Sequence, residues 1–359
     1  MTDILEVREI SKDENNVLGK MVGMDHEQVL FCQDRATGLK AIVAVHNTVL
    51  GPALGGTRMW NYANEEDAIT DVLRLSRGMT YKNSISGLNL GGGKAVIIGD
   101  SYTQKNEALF RRFGKFVESL SGKYITAEDV GISPQDMVWV NKETNHVAGL
   151  PGKSGDPSPV TAYGVYVGMK ACAKAQFGTD SLNGIKVAVQ GAGHVGQYLI
   201  KHLTDEGAKV FVTDIHEPSL KDVSEKYGST IVGLDEIYDL DVDVYAPCAL
   251  GATVNDATLE RLKCSIIAGA ANNQLEQEII HGKAVMDRGI IYAPDFMLNA
   301  GGVINCFAEV DGKSAEWAME KAAQIYDTTT EIINGSKANN IPTYAIANKM
   351  AEDRIKGAL

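Results

Sequence analysis

Cysteine and proline are scarce in this chain, with five and nine in 359 residues, and there are only three tryptophans. The cysteines (Cys32, Cys172, Cys248, Cys264 and Cys306) are odd in number and scattered, with no Cys-x-x-Cys pair. That excludes a disulfide framework and a thiolate metal site, and it predicts reduced, mostly buried thiols. No metal site of any kind is read from the sequence. Basic residues are outnumbered, 34 against 46 acidic ones, for a formal charge of −12. A chain of that sign repels polyanions, which argues against nucleic acid and anionic membrane as partners and favours a small metabolite. Long apolar runs are absent, and the start MTDILEVREISKDENN is acidic and polar, unlike the basic then apolar order of a signal peptide. A cytoplasmic location is the expectation.

What is present is 44% apolar residues and a length greater than one core ordinarily supports, so two domains of roughly 150 to 200 residues are expected. Early on, EQVLFCQD and LKAIVAVHNT are short β-rich runs separated by RATG, as in a hairpin or neighbouring strands. NEEDAITDVLRLSRGMT reads as a helix capped by Asn64, KNEALFRRFGKFVESL as a second, KYITA as a strand, and SPQDMVWVNKE as a third helix opened by Ser133 with Pro134 in its first turn. From residue 149 the run GLPGKSGDPSP has the residue types of a connecting segment. Beyond it, short apolar strands alternate with helices, the signature of a parallel sheet wrapped by crossover helices. The fold class is α/β, with a first domain over residues 1–148 and a second over 149–339. The terminal helix, about 340–359, is expected to return to the first domain.

IKVAVQGAGHVGQYLIKHL holds Gly191, Gly193 and Gly196 in a Gly-x-Gly-x-x-Gly array, with His194 and Val195 inside it. Such an array alone is weak evidence, but here an apolar strand runs into it, a helix begins within it, and a second strand, KVFVTD, follows. Glycine lets backbone and helix N-terminus approach a pyrophosphate, so the second domain reads as a doubly wound, Rossmann-type dinucleotide-binding domain. Asp214, at the end of the second strand, suits the adenosine ribose hydroxyls. Ile215, His216 and Glu217 follow, with no arginine or lysine to pair a 2′-phosphate, which favours NAD over NADP.

GLNLGGGKAVIIGD, residues 87–100, sets three glycines and Lys94 against an apolar strand. A P-loop would need Gly and Ser/Thr where Leu88 and Ala95 stand, so that reading is rejected. The remaining functional reading is a partly desolvated lysine whose pKa falls enough for it to act as a base or polarise a carbonyl, with the glycines letting substrate approach the backbone beside it.

Taken together, GPALGGTRMW, RLSRGMTYKNSISGLNLGGGKAVI, ITAEDVG, DPSPVTAYGV, GAGHVG, YAPCALGATVN, AGAANNQL and APDFMLNAGGVIN resemble, in order and spacing, the amino acid dehydrogenases of the glutamate/leucine/phenylalanine/valine family. The likeness runs from about residue 20 to the end. It implies an N-terminal substrate and oligomerisation domain, a cleft between it and the NAD domain, and a reversible oxidative deamination in which an L-amino acid passes a hydride to NAD⁺ and yields a 2-oxo acid and ammonia. By the resemblance, Lys94 activates water and stabilises the carbinolamine oxygen, Lys82 pairs the substrate α-carboxylate, and Asp129 exchanges protons with the departing amine. It also brings Thr161, Asn272 and Asn273 to the nicotinamide and the reacting carbon, and Cys248 and Ala249 to the cofactor cleft. A second lysine near Lys94 would add like-charge repulsion to desolvation in lowering its pKa.

Glutamate-specific relatives carry a lysine where this chain has Leu54, beside Gly55, and an apolar residue there leaves a buried side-chain carboxylate unpaired. Phenylalanine-specific relatives typically have Gly at the place of Ala127 and a larger residue at that of Val303. This chain has the pair found with branched aliphatic substrates, although Cys306 stands where a valine is common. The expected substrates are branched-chain L-amino acids, leucine foremost, with a phenylalanine enzyme of the same family as the alternative. Members acting on branched-chain substrates are commonly octamers, so a homo-oligomer is expected. A 2-hydroxy acid dehydrogenase would need a catalytic histidine that is not apparent, and a non-catalytic NAD sensor would not need Lys82, Lys94 and Asp129 together.

Overall fold

A computed structural model describes residues 16–359, and the acidic start up to residue 15 lies outside the described residues. Two units divide between Gly155 and Asp156. The first contains α1 (Val17–Met24), β1 (Gln28–Asp34), β2 (Leu39–Asn47), β3 (Ala53–Trp60), α2 (Glu65–Ile85), β4 (Gly91–Ile98), α3 (Glu107–Glu118), β5 (Tyr124–Glu128) and α4 (Pro134–Asn141). The helix starts read from sequence are present: the side chains of Asn64, Asn106 and Ser133 accept the N–H groups of Asp67, Leu109 and Asp136, and Pro134 occupies the first turn of α4. β1 and β2 form the expected antiparallel pair. The strand β3 and the helix α1 were not read from sequence. β3 contains two glycines and an arginine, which blur its alternation, yet it pairs in parallel with both β4 and β5 in a sheet of order β1-β2-β4-β3-β5.

Alternation along β4 decides what each of its residues faces. Val96 joins Ile42 and Ala44 against Ala68, Ile69, Val72 and Leu73 of α2, whereas Ala95 and Ile97 join the core that contains Phe110, Phe113, Tyr124, Met137 and Val140. Lys94, two residues before Val96, therefore lies on the face covered by α2.

Two buried histidines tie that helix to its surroundings. His26 Nε2 lies 2.8 Å from Ser76 Oγ and 3.1 Å from the Leu73 carbonyl, while His46 contacts Thr80 Oγ1 and the Met24 carbonyl. The rings meet edge to face at 4.7 Å. Burial, opposed by the Leu73 carbonyl, pulls His26 down to about 4, and burial together with the neighbouring His26 pulls His46 down to about 3, from 6.5. Both folded-state values lie below the unfolded one, so the unfolded chain takes up protons that the folded chain refuses. The stability contributed by the neutral pair is whole above pH 6.5 and is lost as pH falls toward those lower values. Between pH 7 and 5 the pair is expected to cost on the order of 3 kcal/mol. Urea midpoints at the two pH values, compared with a His26→Asn/His46→Asn variant, check this, and equal losses in both proteins would refute it.

The second unit holds α5 (Ser158–Phe177), β6 (Lys186–Gln190), α6 (His194–Asp205), β7 (Lys209–Thr213), α7 (Glu217–Tyr227), β8 (Thr230–Ile231), β9 (Val244–Pro247), α8 (Asp256–Leu259), β10 (Ile266–Ile267), α9 (Glu278–Asp287), β11 (Ile291–Tyr292), α10 (Asp295–Leu298), α11 (Gly301–Val310), α12 (Ala315–Ala323), α13 (Ile325–Asn339) and α14 (Thr343–Lys356). Its sheet is parallel throughout, of order β11-β10-β9-β6-β7-β8. Strand order reverses between β6 and β9, and such a switch point is where doubly wound sheets take ligands. The terminal helix differs from expectation. Tyr344 of α14 is part of the second unit's core, so the helix belongs there as far as Arg354, and only Ile355–Leu359 group with the first unit. Cys32, Cys172 and Cys264 are buried free thiols, with Cys248 and Cys306 half-buried. Among the described residues no helix is long and apolar enough to cross a membrane.

Candidate active site

In the first unit, Lys94 Nζ lies 2.5 Å from Asp129 Oδ2, with the lysine buried and the carboxylate partly exposed. Lys94 is supplied by β4 and Asp129 by the turn after β5, and the two strands flank β3. The charged partner of Lys94 is thus a carboxylate. Burial works to raise the pKa of Asp129, but Lys94 and then Arg58 outweigh it and hold the carboxyl below the usual range. Arg58 on β3 reaches Asp129 Oδ2 through Nε at 3.2 Å and Asp71 Oδ2 of α2 through a terminal nitrogen at 2.9 Å. Tyr62 donates to the same Asp71 oxygen at 2.6 Å. Sequence reasoning missed Arg58. The usable signal was an arginine inside an otherwise apolar strand, which has to be paired.

Lys82 stands in the last turn of α2, two residues beyond Thr80. Thr80 packs on Gly92, where an added Cβ would meet its backbone nitrogen and its hydroxyl at 2.1 Å, and Asn83 Nδ2 donates to the Gly91 carbonyl at 2.5 Å. The end of α2 is thereby fixed against the stretch of β4 that leads into Lys94. Leu54 and Ala127 are buried on β3 and β5, and Gly55 of β3 pairs with Thr126.

The glycines before Lys94 correct one expectation. A Cβ at Gly91 would meet the Asn47 carbonyl oxygen at 1.9 Å, and one at Gly93 the Tyr124 ring at 2.7 Å. The space a side chain would take at these positions, as at Gly92, is filled by the protein itself. These glycines let a helix, a strand and an aromatic ring close onto β4, and it is not an approaching substrate that their missing side chains accommodate.

In the second unit the three array glycines have separate tasks. Gly191, at φ 117°, turns the chain beneath Cys248 and Ala249, and a Cβ on Gly196 would strike the Gly191 carbonyl at 2.1 Å. Gly193 has nothing within 4 Å of its Cβ position and caps α6 without any side-chain hydrogen bond. Backbone N–H groups at an uncapped helix start, beside an open glycine, fit the pyrophosphate of a dinucleotide. His194 is exposed and Val195 half-buried on the first turn. Asp214 follows β7 and accepts the Ala192 N–H at 2.6 Å and the His216 N–H at 2.8 Å, tying the glycine loop to the next strand end, while Ile215 is 86% exposed.

The Cys248 N–H bonds the Gln190 carbonyl across the β6–β9 switch point, and burial pushes its thiol up to about 12. Asn272 accepts the Asn299 side-chain amide at 2.7 Å, and Asn273, left-handed at φ 52°, accepts the Ala252 N–H. Thr161 donates to the Pro157 carbonyl and packs beneath Gly301 at the start of α11, which also carries Val303, buried, and Cys306.

Family comparison accounts for both units. The family model for the Glu/Leu/Phe/Val dehydrogenase dimerisation domain matches residues 26–146, and that for Glutamate/Leucine/Phenylalanine/Valine dehydrogenase matches 152–216 and 211–358. The chain belongs to this family. It is an amino acid dehydrogenase, an oxidoreductase of a class that works with a nicotinamide dinucleotide. Leucine dehydrogenase of Thermoactinomyces intermedius is 56% identical over 335 residues, covering 92% of this chain and 91% of the relative. Phenylalanine dehydrogenase of Bacillus thermotolerans is 47% identical over 340 residues, covering 92% and 89%. Among solved structures, L-tryptophan dehydrogenase from Nostoc punctiforme superposes with a TM-score of 0.85 at 44% identity, covering 95% of this chain and 99% of that one.

Proposed function

We propose that this chain catalyses the reversible NAD-dependent oxidative deamination of branched-chain L-amino acids, leucine above the others, to 2-oxo acids and ammonia. The observation that carries the reading is the Lys94–Asp129 contact, because the reaction needs a cation beside the attacking water and a proton carrier beside the departing nitrogen. Lys82 pairs the substrate α-carboxylate. When bound, the nicotinamide accepts the hydride of the α-carbon. Lys94 first passes its proton to Asp129, then takes one from the water that adds to the imine carbon and holds the carbinolamine oxygen; Asp129 gives its proton to the nitrogen that leaves as ammonia and takes up the hydroxyl proton as the carbonyl forms.

For the cofactor, the Asp214 carboxylate and the following Ile215, His216 and Glu217 offer no cation to a 2′-phosphate, which supports NAD over NADP. On the substrate side, buried Leu54 disfavours glutamate, since a desolvated carboxylate there has no partner. Ala127, Val303, Cys306, Gly55 and Asn273 complete the proposed substrate set, with Thr161, Asn272, Cys248 and Ala249 serving the cofactor. A cytoplasmic location and assembly into eight subunits, by family resemblance, belong to the same reading, and the match to a dimerisation domain supports a homo-oligomer formed through the first unit.

NADH formation with leucine, valine, isoleucine, phenylalanine, tryptophan, glutamate and lactate, repeated with NADP⁺, tests the reading. Leucine is expected to exceed phenylalanine in kcat/KM by about tenfold or more. Preference for an aromatic substrate or glutamate would discard the proposed pocket, and turnover of lactate alone would discard the chemistry assigned to Lys94.

A further inference from the structure

Asp129 sits between two cations that do different work. Lys94 belongs to the proposed chemistry, whereas Arg58 is committed on its other side to α2. Its Nε faces Asp129 at 3.2 Å, a terminal nitrogen faces Asp71 at 2.9 Å, and Asp71 is held in turn by the Tyr62 hydroxyl at 2.6 Å and by Arg74 at 3.6 Å. A planar guanidinium can span two carboxylates in fixed directions, which a lysine ammonium cannot. Asp129 lies on a turn after a strand end, where backbone pairing no longer fixes its side chain. The bond from Arg58, whose own strand is paired on both edges, supplies that missing constraint.

We propose that Arg58 is the positioning residue for Asp129: braced by Asp71 and Tyr62, it holds the carboxylate at Lys94 and sets the pH range in which Asp129 can take up and return the amine proton. The inference rests on the reading of Asp129 as the proton carrier. Among the described residues, the charged and titratable groups facing the carboxylate are Lys94 from β4, Arg58 from β3, Asp71 of α2 with Tyr62 through Arg58, the adjacent Glu128 and the Tyr124 ring of β5. Loss of the Arg58 charge favours the protonated carboxyl. Loss of the Asp71 charge leaves Arg58 more fully to Asp129 and favours the ionised form. Two substitutions in one chain of contacts should therefore move the same titration in opposite directions, which a merely structural role would not do.

The test is the pH profile of kcat and kcat/KM for leucine deamination in the wild type, R58Q, R58K, D71N and D129N, with melting temperatures for each. R58Q should raise the apparent pKa of the acidic limb by about one unit and lower kcat more than it raises KM. D71N should lower that pKa, and R58K, which keeps the charge without the planar fork, should restore the limb toward its wild-type place while kcat stays reduced. If R58Q fails to fold, the opposed shift in D71N and the limb of R58K still decide. An acidic limb unchanged in R58Q and D71N, or moved the same way in both, overturns the role of Arg58. Near-normal activity of D129N would instead overturn the assignment of Asp129 itself.

Discussion

Replacement of Lys94 by methionine is expected to lower kcat for leucine deamination by about a thousandfold or more, the combined scale of losing a general base and a donor to the developing oxyanion. Methionine keeps the length and the burial of the side chain, so packing between β4 and α2 should survive. Asp129 keeps Arg58 as a counter-charge and is not left alone. The loss should therefore fall on turnover, with NADH binding, read by fluorescence quenching in the second unit, close to wild type. A variant with activity within tenfold of the parent would show that the cation is not used in the chemical step.

The second large effect is structural and involves a glycine. Gly92→Ala is expected to destabilise the protein by about 3 kcal/mol or more, the upper range for overpacking a tight core, because the new methyl would lie 2.1 Å from the Thr80 backbone nitrogen. Neither side yields easily, since β4 is paired on both edges and α2 is twenty-one residues of regular helix. Any shift that relieves the clash moves Lys82 and Lys94 apart from their present places, so activity should fall along with the melting temperature. Gly78→Ala on the same helix is the control. Gly78 is exposed, with nothing within 4 Å of its Cβ position, and the change should stabilise by about 0.5 to 1 kcal/mol. Similar melting temperatures for the two variants would refute the packing argument.

These cases separate what the sequence discloses from what it conceals. The strand, glycine turn and helix start at Gly191, Gly193 and Gly196 were legible because such a unit is local: β6, the turn, the start of α6 and Asp214 all lie within residues 186–214, each with its own pattern. Capped helices such as α2 and α4 were legible for the same reason. The glycines at 91–93 invited a functional reading, yet the atoms that need their small size, the Tyr124 ring and the Asn47 carbonyl, come from other strands. Arg58 and Asp129 are 71 residues apart, and nothing in their local patterns announces a bridge. β3 was hidden because the glycines and arginine that make it useful also erase its alternation. The terminal helix divides between the units, Tyr344 joining the second unit's core while Ile355–Leu359 group with the first, a split that its helical periodicity does not name.

Gly55, Gly91, Gly92 and Gly93 have one further consequence, for how such a protein can diversify. At Gly55 a Cβ would meet the Gly93 carbonyl oxygen at 1.7 Å, and as at Gly91, Gly92 and Gly93 a methyl group there meets backbone or a ring, so these positions resist substitution whatever the selective pressure. New selectivity must then arise at neighbours that already carry side chains, Leu54 and Ala127 among them. The accessible variants near the proposed chemistry are changes of volume and polarity at a few sites above an unalterable base.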